Sequence, residues 1–147
     1  PDTVVIFPIL DNGDILLIEE EQPGLALSVG APCGRIEKNE DVLQAAKREL
    51  LEETGYEAKE FILWKACHVT NKIDWVIYTF FAKGLTKVAD QKLDNGERIS
   101  LKPTSFDEFL KIAQGTRFSG QEILVDLLKA QIDPSEKSDL RDLFKPL

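Results

Sequence analysis

The chain has 147 residues, 43% of them apolar and 30% charged, and a net charge of −8. That length predicts a single domain spanning 1–147, with a charged C-terminal tail over 132–147. Lys and Arg form no basic stripe, which argues against a nucleic-acid polymer as partner, and no run of about 18 apolar residues argues for a membrane, so the expected setting is the cytoplasm. Cys33 and Cys67 stand in no Cys/His array, so neither zinc nor a disulfide framework is expected. In chain order, the β-rich run 3–10, the turn Asp11-Asn-Gly-Asp14 and the run 15–18 predict a hairpin. Glu19, Glu20 and Glu21 then read as a solvated strand end, placed to bring one side chain near a pocket mouth, and a short strand is expected over 25–29.

The stretch Gly34 to Tyr56, GRIEKNEDVLQAAKRELLEETGY, carries the most information. Asn39 is placed to cap a helix over 40–54, Glu40 and Asp41 suit its N-terminal dipole, and Gly55 is placed to end it in a left-handed turn. Leu43, Ala46 and Leu50 form an apolar stripe, and spacings of three and four put Glu49, Glu52 and Glu53 on one face. Three acids on one helical face are in most proteins a solvated surface, with Arg48 and Glu52 as an i,i+4 pair. Here they stand in register with a loop glycine, a cap and an Arg-Glu dipeptide, which favours a cation site.

The segment resembles the signature of the Nudix hydrolases, G-x5-E-x7-R-E-U-x-E-E-x-G-U, with every fixed letter present and Tyr56 in the last, usually aliphatic, place. The resemblance implies an α/β fold, a Nudix-type α/β/α sandwich with a mixed sheet. It implies hydrolysis of a nucleoside diphosphate linked to another moiety (NDP-X), with a small nucleotide as substrate and Mg²⁺ or Mn²⁺ held by oxygen ligands. On that reading Glu49 and Glu53 are direct ligands, Glu52 is a ligand or a neighbouring acid, and Gly34, with Cys33 before it, offers a backbone carbonyl. Arg48 orients the carboxylates and lies nearest Glu52. The Cys33 thiol is then a small core group. Members of the family that act on nucleotide sugars usually pair, and an apolar first strand would otherwise be a bare edge, so a homodimer is expected.

Further along, 60–70 and 74–83 read as two long strands, with His68, Trp64, Trp75 and Tyr78 as ordinary strand or core residues. A polar loop over 84–96 precedes a strand at 97–101, then helices over 106–114 and 119–130 and a short helical turn near 138–144. Phe106, Phe109, Leu110 and Ile112 line the first of these helices and Ile123, Leu124, Leu127 and Leu128 the second. The region LDNGERISL…SFDEFLKIAQG resembles ADP-ribose pyrophosphatase-like relatives, whose loop acids complete the metal site or act as base. Glu97 matches such an acid, while Asn95 stands where some relatives carry a second Glu and Gly30 where many have one. No proline falls between Tyr56 and Lys102, so a proline marker of ADP-ribose specificity is missing. The alternatives are a nucleoside-triphosphate or dinucleoside-polyphosphate pyrophosphatase, or a nucleotide-binding Nudix domain without catalysis.

Overall fold

The strand Thr3–Ile9 (β1) is buried at every position after Thr3, and a strand buried on both faces must lie in the middle of a layered fold. The computed structural model describes residues 1–147. It continues with β2 (Ile15–Glu21), β3 (Ser28–Gly30), β4 (Cys33–Arg35), α1 (Val42–Thr54), β5 (Tyr56–Thr70), β6 (Ile73–Lys87), β7 (Arg98–Thr104) and α2 (Phe106–Ile112). A 3-10 turn (Gln121–Ile123) leads into α3 (Leu124–Ile132), and α4 (Pro134–Leu143) follows. Val4 and Ile6 of β1 pack with Ala45, Ala46 and Leu50 of α1. Val5, Phe7 and Ile9, alternating with them, pack with the C-terminal helices. The expected α/β/α sandwich is therefore present.

The seven-stranded sheet is mixed. β1 runs parallel to β6 along its whole length and antiparallel to β4 from Thr3 to Val5. It meets β2 only at Ile9 and Ile15. β2 then turns away to pair with β3 and β7. The sheet thus parts into two lobes, with the β3–β4 bend at the fork. Pro8 is tolerated in this central strand for a topological reason. Ile6 directs its N–H toward the β4 side, to the Pro32 carbonyl at 2.9 Å, and Pro8, two residues on, would face the same side. There β4 has ended and β2 pairs only from Ile9, so no ladder bond is lost.

Several boundaries differ from expectation. Asp41, not Asn39, is the N-cap of α1: its side chain accepts from the Gln44 N–H at 2.8 Å while Gln44 accepts from the Asp41 N–H at 3.1 Å. This reciprocal pair satisfies two orphan donors, so it outcompetes a lone asparagine. Asn39 instead takes a left-handed turn with φ 66°. The buried stripe of α1 is Ala45, Ala46 and Leu50, with Leu43 exposed. The long strands extend to 56–70 and 73–87, and the 119–130 segment becomes the 3-10 turn and α3, whose Leu124 and Leu128 face solvent. The turn expected near 138–144 is the longer α4, and residues beyond 132 are no loose tail, since Leu140 and Phe144 are buried. β1 is not an edge either, so the expectation of a dimer formed over a bare first strand loses its basis. The outer edge of β5 is unpaired.

Candidate active site

The helix α1 ends at Gly55, whose φ of 76° and N–H bond to the Leu51 carbonyl make the left-handed cap. A side chain is excluded there, because a Cβ would stand 2.1 Å from the Ala89 carbonyl oxygen. That close approach lets the loop after β6 bind the last turn of α1. The N–H groups of Val88 and Ala89 donate to the Gly55 carbonyl at 2.9 and 3.2 Å, that of Lys92 to the Glu52 carbonyl at 2.7 Å, and Gln91 Nε2 to the Glu53 carbonyl at 2.6 Å. The loop so anchored delivers Glu97, whose carboxylate accepts from the Asp94 N–H at 3.0 Å.

Arg48 organises the other end. Its Nε and Nη2 donate to the two oxygens of Glu40 at 2.8 and 2.9 Å, and Nη2 also to the Arg35 carbonyl at 3.0 Å. Nη1 donates to Glu49 at 2.6 Å and to Glu52 at 3.3 Å. Arg48 therefore lies nearer Glu49 than Glu52, the reverse of the expectation, and the two-pronged pair with Glu40 fixes the guanidinium plane that aims Glu49. Glu40 keeps its carboxyl below the ordinary carboxylate range through that hydrogen bond, and Arg48 is held protonated by it. The site role of Glu40 was missed; its fixed place in the signature was the signal.

Gly34 explains how Glu49 reaches the strand. A Cβ at this position would lie 2.0 Å from the Glu49 carboxyl carbon, so the absent side chain is the space the carboxylate occupies. Glu53, one helical turn on, accepts from the Cys33 N–H at 3.0 Å. Burial pushes the Glu53 carboxyl up to about 8, and Glu49, Glu20 and Glu97 add to the rise against the Cys33 hydrogen bond. Burial likewise raises Glu49, while Arg48 pulls it down. Glu20, on β2, belongs to this acid group, the side chain near a pocket mouth that the acid run after the hairpin allowed. Cys33 is exposed rather than a core group. Glu52, more open at 34% side-chain exposure, sits on the Arg48 side. No three His, Cys, Asp or Glu side chains already converge at coordinating distance. His68 is exposed on β5 opposite Val76, and Trp64 packs in the core against Phe7 and Phe81.

Carboxylates drawn together around a side-chain-free backbone cradle, with one raised by burial and by its neighbours, fit a divalent cation. An oxygen-only donor set suits Mg²⁺ or Mn²⁺.

Comparison with known proteins agrees. The NUDIX domain family model matches residues 1–123. The chain is 30% identical over 141 residues to a methanol dehydrogenase activator of Bacillus methanolicus, covering 93% of this chain and 76% of that one. It is 28% identical over 117 residues to an ADP-ribose pyrophosphatase of Bacillus subtilis (strain 168), covering 78% of this chain and 63% of that protein, less than two thirds of its length. The crystal structure of an ADP compounds hydrolase superposes with a TM-score of 0.75 at 22% identity, over 95% of this chain and 75% of that one, a likeness of fold.

Proposed function

The chain belongs to the Nudix family, and from that premise we propose that it is a pyrophosphohydrolase that cleaves NDP-X substrates of the ADP-ribose or nucleotide-sugar type. The observation that carries this reading is Glu49 seated in the Gly34 cradle and bonded by Arg48, with Glu53 on the Cys33 N–H beside it and Glu20 and Glu97 near enough to raise Glu53. Glu49 and Glu53 would hold the cation with the backbone carbonyl at 33 or 34, and Glu52 and Glu97 are the further acids. When bound, Mg²⁺ or Mn²⁺ supplies charge neutralisation at the phosphate oxygens and a lowered water pKa.

The protein's own part is preorganisation. Arg48, itself held by Glu40, anchors one oxygen of Glu49, so less ordering remains to be done when substrate arrives. The Cys33 N–H orients Glu53, and the loop tied to Gly55 carries Glu97 toward the reacting phosphate as the candidate base. The setting consistent with this chemistry is the cytoplasm. A homodimer is retained as a proposal by family analogy, and a monomeric mass in light scattering at micromolar concentration removes it.

The decisive experiment is a panel of NDP-sugars, dinucleoside polyphosphates and nucleoside triphosphates with Mg²⁺, Mn²⁺ or excess chelator, with products identified. Turnover of NDP-sugars that chelator abolishes is the expected result; full turnover in chelator overturns the cation assignment. Glu49→Gln and Glu53→Gln are expected to lower turnover by about two orders of magnitude or more with partial recovery at high Mg²⁺. Glu97→Gln is expected to have a smaller effect that high metal does not rescue. Wild-type rates in the first two variants return the helix to the status of a solvated acidic face.

A further inference from the structure

The acids of the site come from both lobes of the forked sheet. Glu49 and Glu53 ride on α1, which packs against β1 in one lobe, while Glu20 lies on β2 and Glu97 stands just before β7 in the other. β1 and β2 pair only at Ile9 and Ile15, and Ile15 lies opposite Thr104, at the far end of β7 from Glu97. At the Glu97 end, β7 pairs with β2 alone. No strand pairing there sets how far Glu97 stands from α1.

One side chain spans the gap. Gln91 lies in the loop after β6, and its Nε2 donates to the Glu53 carbonyl at 2.6 Å and to the Ile99 carbonyl at 3.2 Å. A primary amide carries two N–H groups on one nitrogen, so both carbonyls are satisfied at once and neither N–H is left over. The bond to Ile99 closes the segment 91–99 on itself, and the bond to Glu53 fastens the closed segment to the last turn of α1. Glu97 sits inside it, on a tight turn where its N–H donates to the Asp94 carbonyl at 3.1 Å and its carboxylate accepts from the Asp94 N–H at 3.0 Å. The backbone bonds of the loop do not replace this clamp. Those of Val88, Ala89 and Lys92 all run to α1, and none reaches β7.

We propose that Gln91 is a positioning residue that clamps α1 to β7 and so sets the place of Glu97 relative to Glu49 and Glu53. The inference rests on the role of Glu97 in the NDP-X reading above. Carboxylates brought together without a cation repel one another, and Glu97 is near enough to Glu53 to raise its carboxyl. Two neutral hydrogen bonds oppose that repulsion without adding charge. A Lys or Arg bridging the same carbonyls would bring a cation of its own to acids that are to hold a metal.

The test uses Gln91→Glu, which keeps the shape but when ionised turns an acceptor toward two carbonyls, and Gln91→Ala, which removes the clamp. Each is made in the wild type and in Glu97→Gln. With Mg²⁺ and an NDP-sugar that the wild type turns over, each single variant should lower kcat about tenfold, the size of two lost neutral hydrogen bonds, with KM within about threefold and no recovery at high Mg²⁺. In Glu97→Gln the same changes should lower kcat less than about twofold, because the clamp then has no base left to place. Losses that multiply in full across the two backgrounds overturn the proposal. Amide exchange followed by NMR on the metal-free protein needs no substrate: the Asp94 and Glu97 amides should exchange about fivefold or more faster in Gln91→Ala, while amides of β1 follow global stability alone. An equal rise at every amide, or none at Asp94 and Glu97, removes the clamp. A wild type that turns over no NDP-sugar sinks the NDP-X reading instead, and the exchange result still decides whether Gln91 places Glu97.

Discussion

Glu53 is held as an acid that resists ionisation, with its carboxyl raised to about 8 first by burial and then by Glu49, Glu20 and Glu97. Between the ordinary carboxylate range and about 8, the folded chain keeps a proton at this site that the unfolded chain has lost. The native state then binds more protons than the unfolded one, so stability falls as pH rises through that window. A divalent cation takes the proton's place and offsets the trend by binding the native state alone. Melting temperatures measured in chelator from about pH 5 to about pH 8 should fall with pH, Glu53→Gln should remove most of that slope, and saturating Mg²⁺ should flatten it in the wild type. A wild-type slope identical with and without Mg²⁺ contradicts the placement of the cation at Glu53. The identity of these acids was legible in the sequence because helical spacing is local. The partnership of Arg48 with Glu40 was not, because it joins residues eight apart across a bend in the chain.

At the scale of the element, α1 is specified at both ends by residues that do different work. The Asp41–Gln44 box satisfies orphan donors and touches nothing in the site, so Asp41→Ala should cost about 1 kcal/mol of stability and leave turnover near wild type. Gly55 couples the helix to the loop that carries Glu97. Gly55→Ala places a Cβ 2.1 Å from the Ala89 carbonyl at a φ of 76°. It should cost more than Asp41→Ala, about 1–2 kcal/mol from the left-handed backbone alone, and should lower turnover as well by displacing that loop. Urea denaturation and kinetics on the two variants separate cap from coupler; equal turnover in both removes the coupling role of Gly55. The types of the long strands, of α1 and of the helices after β7 were legible, since turn residues and period-two or helical patterns are local; α4, expected as a short turn in a charged tail, was not. The boundaries moved where a residue two places on took the cap expected of Asn39, as Asp41 did, or where pairing with a distant strand lengthened β5 and β6.

For the whole molecule, Phe144 closes the core opposite α1. It packs on Phe7, Trp64, Phe81, Phe106 and Phe109 with ring centroids 4.8 to 6.1 Å apart. The helix leading to it is charged at half of its positions and buries only Leu140, so it holds its place through a capped start at Asp133 and Pro134 and through this terminal aromatic residue. Phe144→Ala should cost about 3–5 kcal/mol. Removal of the chain from Pro134 onward should lower the urea midpoint further, since Phe7 and Phe109 would lose their cover. Midpoints unchanged by either alteration would mean that the core is complete without α4.

The sequence by itself determined the family signature, the helix that carries Glu49, Glu52 and Glu53, the cap at Gly55 and the β-rich character of the sheet. Each depends on spacing within one turn or one strand, where side-chain direction follows from backbone period alone. Only the tertiary structure decided that β1 is central, that 132–147 seals the core, and that Glu20, Cys33 and Glu97 come near the acids of α1. Those residues lie on separate elements, and their meeting depends on strand register and on which lobe of the forked sheet each strand joins. Such pairing is chosen by the burial of whole faces at once, a quantity that no local stretch of residues contains.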